Sequence, residues 1–220
     1  MKQVLPILAA GFCAASACAG LTGTTFFDSY ETWSDPDIIS MLIPGSWSNA
    51  IRTDDFSSIG AGSYGAVGGG LGWSAWNAYA SSGNIDANFA AQGLTVHDDA
   101  ASMHFDFTGP ATPEGGLHGI GGYFGLRDGS GVFIPGTIQV TLSNGVSDVR
   151  TCNGAEFVGW WISTPDVTIT SLDVRPVSSF VATGHVAVTE LSFGYAGNVP
   201  APGSLALLGI ARAIVRRPRR

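Results

Sequence analysis

Residue types able to do chemistry are sparse in this chain, and few stand close together. Histidine and aspartate meet in His97-Asp98-Asp99 and again in Met103-His104-Phe105-Asp106-Phe107. Imidazole and carboxylates at such separations can hold a divalent metal, although the polar side of a solvated strand produces the same pattern. The segment Asp128-Gly129-Ser130-Gly131 can lend oxygens to calcium or simply turn the chain. Asp98, Asp99, Asp106 and Asp128 are therefore the carboxylates expected at a calcium site, the one cofactor the sequence suggests. Gly60-Ala61-Gly62-Ser63-Tyr64-Gly65 satisfies G-x-G-x-x-G, but a dinucleotide site needs that motif between a strand and an opening helix, and here more glycine follows. The same residues imitate a nucleophile elbow with Ala61 in the first glycine position, again without the flanking strand and helix. There is no H-E-x-x-H, no cysteine–histidine arrangement and no motif-borne carboxylate pair. The expectation is a protein that is not an enzyme and has no catalytic residues.

Aromatic residues offer a different chemistry. Trp73, Trp76 and Tyr79 follow one another at three-residue steps. On an exposed face they would stack on sugar rings and make a carbohydrate contact; packed inward they would be core. Trp160 and Trp161 are adjacent, so on a strand they face opposite sides, one toward the core and the other as a candidate surface contact.

The elements that must position these residues read as strands. In Ser102–Thr108, Met103, Phe105 and Phe107 share one face and His104 and Asp106 the other. Thr137–Ser143 sets Ile138, Val140 and Leu142 on one face, and Asn144-Gly145 then leads into a run through Val149, the signal of a hairpin whose two turn residues take positive φ. Thr24–Phe27, Ile38–Ile43, Phe157–Ile162 and Val167–Ile169 are further β-type runs. Alternation slips near Thr170 and again between Val188 and Leu191, and each slip predicts a β-bulge. Ile59–Gly72 is so rich in glycine that it reads as a surface loop. With no sustained helical period in the body, the fold class is all-β: an antiparallel β-sandwich of jelly-roll type.

Both ends of the chain differ from this body. Residues 1–19 combine Lys2, the apolar run Val4–Cys18 and Ala17-Cys18-Ala19 before Gly20, the form of a signal peptide cleaved after Ala19; Ala15-Ser16-Ala17-Cys18 can also be read as a degenerate lipobox. Residues 199–220 run from Val199-Pro200-Ala201-Pro202-Gly203 through the apolar Ser204–Val215, interrupted by Arg212, to Arg216-Arg217-Pro218-Arg219-Arg220. Roughly 20 apolar residues are needed to span a bilayer as a helix, so this short segment is a weak transmembrane anchor, its arginines held on the cytoplasmic side. An amphipathic helix packed on the domain is the other reading of the tail.

Without these ends, residues 20–198 keep only Arg52, Arg127, Arg150 and Arg175 against all 17 carboxylates of the chain, and no lysine. Such a body repels nucleic acid and anionic lipid, which excludes nucleic acid as a partner. The chain as a whole has 12% charged and 45% hydrophobic residues, enough apolar side chains to fill one core. Cys13 and Cys18 fall in the signal peptide, leaving Cys152 alone in the mature body, where it forms no intramolecular disulfide.

The order Pro-x-Pro-Gly, apolar run, arginine cluster resembles the PEP-CTERM sorting tail of exported bacterial surface proteins, with Ala201 where that family most often carries glutamate. Further pieces, in order, are Gly121-Gly122-Tyr123-Phe124, Ile134-Pro135-Gly136-Thr137, Glu156-Phe157-Val158-Gly159 with Ser163-Thr164-Pro165, and Thr189-Glu190-Leu191-Ser192-Phe193-Gly194. Over residues 118–198 this set is similar to the β-sandwich ectodomains that PEP-CTERM proteins often carry. The resemblance implies export, transient inner-membrane anchoring, and processing near Pro200-Ala201-Pro202 by an exosortase-type sorting protease. It implies placement in the cell envelope, at the cell surface or outside the cell, and no settled activity. The expected function is that of a non-catalytic surface or matrix protein. A carbohydrate-binding module contacting exopolysaccharide is the second expectation and a polysaccharide-active hydrolase the third.

Overall fold

The computed structural model describes residues 23–42, 51–71, 74–88, 91–109, 117–164, 167–177 and 184–195. The expected signal peptide and sorting tail lie outside these residues, as does Trp73. Two antiparallel sheets face each other. The larger runs in the order β1 (Thr24–Phe27), β13 (Glu156–Ile162), β9 (Leu117–Arg127), β15 (His185–Tyr195), β7 (Leu94–Val96), β6 (Ile85–Ala87) and β3 (Gly62–Tyr64), with β2 (Ile51–Asp54) also beside β15 and β10 (Phe133–Ile134) beside β9. The smaller runs β12 (Ser147–Cys152), β11 (Gly136–Leu142), β14 (Ser171–Pro176), β8 (Met103–Thr108), β5 (Ser74–Ala80) and β4 (Ala66–Leu71). From β8 onward the chain passes repeatedly between sheets: β9 and β10 in the larger, β11 and β12 in the smaller, β13 larger, β14 smaller, β15 larger. This is the sheet-switching path of a jelly roll, and the expected all-β sandwich is what the chain forms.

Period-2 alternation builds the core between the sheets. The smaller sheet contributes Met103, Phe105, Phe107, Ile138, Val140, Leu142, Leu172 and Val174, and the larger Ile120, Phe124, Val158, Trp160, Val186, Val188, Leu191 and Phe193, all buried. The Asn-Gly hairpin joins β11 to β12, but with a different turn from the one expected. Asn144 keeps a negative φ and only Gly145 is left-handed, at 85°. Leu142 bonds both Gly145 N–H and Val146 C=O, as in a type I turn closed by a left-handed glycine. The slip after Val188 is a register shift between Val188 and Glu190 against β9, as the sequence predicts. The slip near Thr170 is not a bulge. Val167–Ile169 is no strand, and the chain here crosses between sheets: Ile169 N–H donates to Leu117 of the larger sheet, and Thr170 C=O accepts from Phe107 of the smaller.

Three other expectations differ from what the chain forms. The β-type run from Ile38 is helical: α1 (Tyr30–Trp33) and α2 (Pro36–Leu42) follow β1. Ser29 caps the first, its hydroxyl accepting from Thr32 N–H, and Asp35 caps the second, its carboxylate accepting from Asp37 N–H at 2.8 Å, with Pro36 opening the helix. The pair Asp35-Pro36 is a helix-start signal that outweighs the β propensity of the isoleucines behind it.

These two short helices cover the outer face of the larger sheet, and this changes the fate of Trp161. Trp160 and Trp161 do face opposite sides, yet each is only 1% exposed. Trp161 stacks on Trp33, ring centres 5.3 Å apart, in a second core with Phe27, Ile39 and Phe157. Trp33 Nε1 donates to Trp160 C=O at 3.1 Å and Trp161 Nε1 donates to Trp33 C=O at 2.8 Å, so both indoles are satisfied. The expected surface contact at this dipeptide is therefore absent.

Within the glycine-rich stretch, finally, Gly62–Tyr64 and Ala66–Leu71 are strands β3 and β4, not a loop. β4 pairs with β5 residue for residue from Ala66↔Tyr79 to Leu71↔Ser74. A Cβ on Gly69 would stand 2.8 Å from Trp76 Nε1, so the missing side chain is the space the indole occupies. What looks like a segment with nothing to bury is a strand shaped to receive its neighbour's ring.

Candidate functional site

Because β8 buries Met103, Phe105 and Phe107, it turns His104 and Asp106 to the outside of the smaller sheet. Strand register then decides their company. Asp173 of β14 pairs with His104 on one side and Tyr79 of β5 on the other, while Asn77 pairs with Asp106. His104 Nε2 lies 3.2 Å from Asp106 Oδ1, and His104 Nδ1 lies 3.6 Å from Asp173 Oδ2. The Tyr79 ring packs against the imidazole with centres 4.9 Å apart. Partial burial, followed by the charges of Asp106 and Asp173, pushes the Tyr79 phenol above its usual range, so it remains a neutral O–H donor. One strand further, Gln139 of β11 pairs with Arg175, whose Nε donates to the Gln139 carbonyl oxygen at 2.9 Å.

The result is a polar sheet face with one half-open aromatic ring. Tyr79 is 36% exposed and offers an apolar surface of ring size. His104 stands beside it, and the same face carries the carboxylates of Asp106 and Asp173, the Asn77 amide and, farther along, the Arg175 guanidinium. Groups spaced by strand pairing at about 4.8 Å suit a flat, extended ligand with repeated hydroxyls better than a compact one.

The expected carbohydrate contacts fare differently from one another. Tyr79 is on the surface as that reading requires. Trp76 is not: it is 3% exposed, packs against Phe56 and Phe105, and donates from Nε1 to Asp54 Oδ2 at 2.8 Å. The three-residue step is the reason, because on a strand an odd step changes face. Asn77, Asp173, Gln139 and Arg175 belong to no motif that marks them as site residues in the sequence. The alternation of Asp173 and Arg175 with Leu172 and Val174 marks them as outward-facing, but only the register places them beside His104.

The four candidate calcium carboxylates are dispersed. Asp106 is on the outer face of the smaller sheet beside His104. Asp99 lies 3.4 Å from His185 Nε2, and Asp98 packs under Gly83. Asp128 holds its own turn, one oxygen accepting from Ser130 N–H, Ser130 hydroxyl and Val132 N–H, and those bonds lower its pKa. Among the described residues no group of three or more histidine, cysteine or acidic side chains is arranged to hold a metal ion. Among the same residues, no helix is long and apolar enough to cross a membrane.

No family model matches the chain, and no curated protein does. Among solved structures, the chain is similar to a family two carbohydrate esterase from Cellvibrio japonicus, with 16% identity and a TM-score of 0.33, over 59% of this chain and 36% of that one.

Proposed function

We propose that the chain is an exported, non-catalytic surface or matrix protein whose sandwich contacts polysaccharide through the outer face of its smaller sheet. The observation that carries the reading is the partly exposed Tyr79 ring, on one sheet face with His104, Asp106, Asp173 and Asn77. An aromatic ring stacks on the apolar face of a sugar, and flanking carboxylates and amides bond its hydroxyls, so this combination is chemically suited to a glycan. Export and processing rest on the two ends of the sequence: the signal-like residues 1–19 and the Pro200-Ala201-Pro202 tail with its arginine cluster. Calcium remains a proposed ligand, with a strongly acidic body as its motive.

A glycan array probed with the purified protein tests the reading. Binding to an extended polysaccharide that is lost in Tyr79→Ala and weakened in His104→Ala supports it. Binding that survives Tyr79→Ala removes the sheet face as the contact. Release of reducing ends or acyl groups from any bound polysaccharide would replace the non-catalytic reading with the hydrolase one.

A further inference from the structure

The larger sheet carries a second polar feature, on its outer face at the end away from the helices. A cleft of about 350 Å³ is bounded by Asp86, Thr95, His97, Arg127, Asp128 and His185. Register assembles it: Asp86 pairs with Thr95, and Arg127 with His185. Arg127 is the unusual member. It is 3% exposed, its guanidinium lies 4.5 Å from the Phe133 ring centre, and burial lowers its pKa. It donates to Thr95 Oγ1 at 3.1 Å and to Gln92 C=O at 2.8 Å, while Nε has no partner. His185 Nδ1 is likewise buried without one.

Charge pairing around the cleft leaves Arg127 alone. Asp86 is taken by His97, Oδ2 to Nδ1 3.0 Å, Asp99 by His185, and one oxygen of Asp128 by its own turn. No carboxylate among the described residues lies within ion-pair distance of Arg127. A buried cation without a counter-charge is costly, and an arriving anion relieves that cost with charge-assisted bonds. The space is larger than one carboxylate requires, and its remaining walls, Thr95, the two histidines and Asp86, are donors and acceptors for hydroxyls.

We infer that this cleft binds a single carboxylate-bearing sugar, its carboxylate on Arg127 and its hydroxyls on the surrounding polar walls. The site lies on the opposite sheet from Tyr79 and does not depend on the sheet-face contact. D-glucuronate, D-glucose and acetate, titrated in turn into isotopically labelled protein, test it through the amide shifts of Thr95, His97, Arg127, Gly129 and His185. Glucuronate is expected to shift these saturably, with glucose and acetate weaker by about tenfold or more. No saturable shift with glucuronate, an equal response to glucose, or an equal response to acetate overturns the inference. Shifts at Tyr79 and His104 with the cleft silent also overturn it, while leaving the sheet-face reading intact. In a folded Arg127→Gln variant, glucuronate affinity should fall roughly ten- to a hundredfold, and unchanged affinity is contrary to the proposal. Should that variant not fold, the wild-type titration still decides.

Discussion

Trp33→Ala tests whether the two short helices are part of the fold's stability or a loose cover. Trp33 is fully buried, stacks on Trp161, contacts Phe157 with ring centres 5.9 Å apart, and makes one hydrogen bond through its indole. Truncating a buried tryptophan to alanine costs about 3 to 5 kcal/mol. The stacked pair and the lost bond to Trp160 C=O belong within that figure, at about 0.5 to 1.5 kcal/mol each. Trp33→Phe keeps most of the packing, loses the indole donor, and should cost about 1 to 2 kcal/mol. For a domain of this size the alanine variant should melt about 6 to 20 °C lower. Thermal unfolding followed by near-ultraviolet circular dichroism reads the loss of tryptophan packing. Tryptophan emission should shift to the red as Trp161 meets water. A loss below about 1 kcal/mol, within the range of surface substitutions and their neighbours, with unshifted emission would refute the role assigned to the helices.

Gly69→Ala places a Cβ against Trp76 Nε1 and should displace the indole from Asp54; the expected loss is about 1 to 3 kcal/mol by chemical denaturation, and a neutral result would mean that the strand yields instead. Burial, then the charges of Glu156 and Asp148, pushes the Cys152 thiol up to about 11, so alkylation at mildly alkaline pH should be slow in the native protein and fast after denaturation. The hydrogen bond from His97 to Asp86 raises the histidine's pKa. The pair therefore supports the fold fully below the ordinary imidazole value and loses its contribution as pH rises through the raised one. Asp86→Asn should lower the His97 titration midpoint seen by NMR, and an unmoved midpoint would remove Asp86 as its cause. Mass spectrometry of the protein from its native source should find a C-terminus near Pro200-Ala201-Pro202 if the tail is processed, and an intact Arg220 would favour the packed helix.

Much of this protein is decided locally. Alternation in Met103–Phe107, Ile138–Leu142 and Leu172–Val174 assigns each side chain to the core or to the outside, because a strand has only two faces and burial selects one. Asn144-Gly145 places the hairpin, and the slip after Val188 marks the bulge, since one extra residue reverses which face is apolar. Asp35-Pro36 also announces a helix in the sequence, once its capping chemistry is weighed above the isoleucines that follow.

Other features exist only between segments far apart in the chain. Trp161 is core because α1, more than a hundred residues earlier, covers the outer face that its strand position assigns it. Gly69 of β4 leaves the volume that the Trp76 ring fills, and a run of small residues does not disclose whether a neighbour will use that space. His104 gains Asp173 and Tyr79, and Arg127 its cleft, through sheet register. Local sequence determines which way a side chain points; the pairing of strands, a property of the whole folded chain, decides which groups stand beside it.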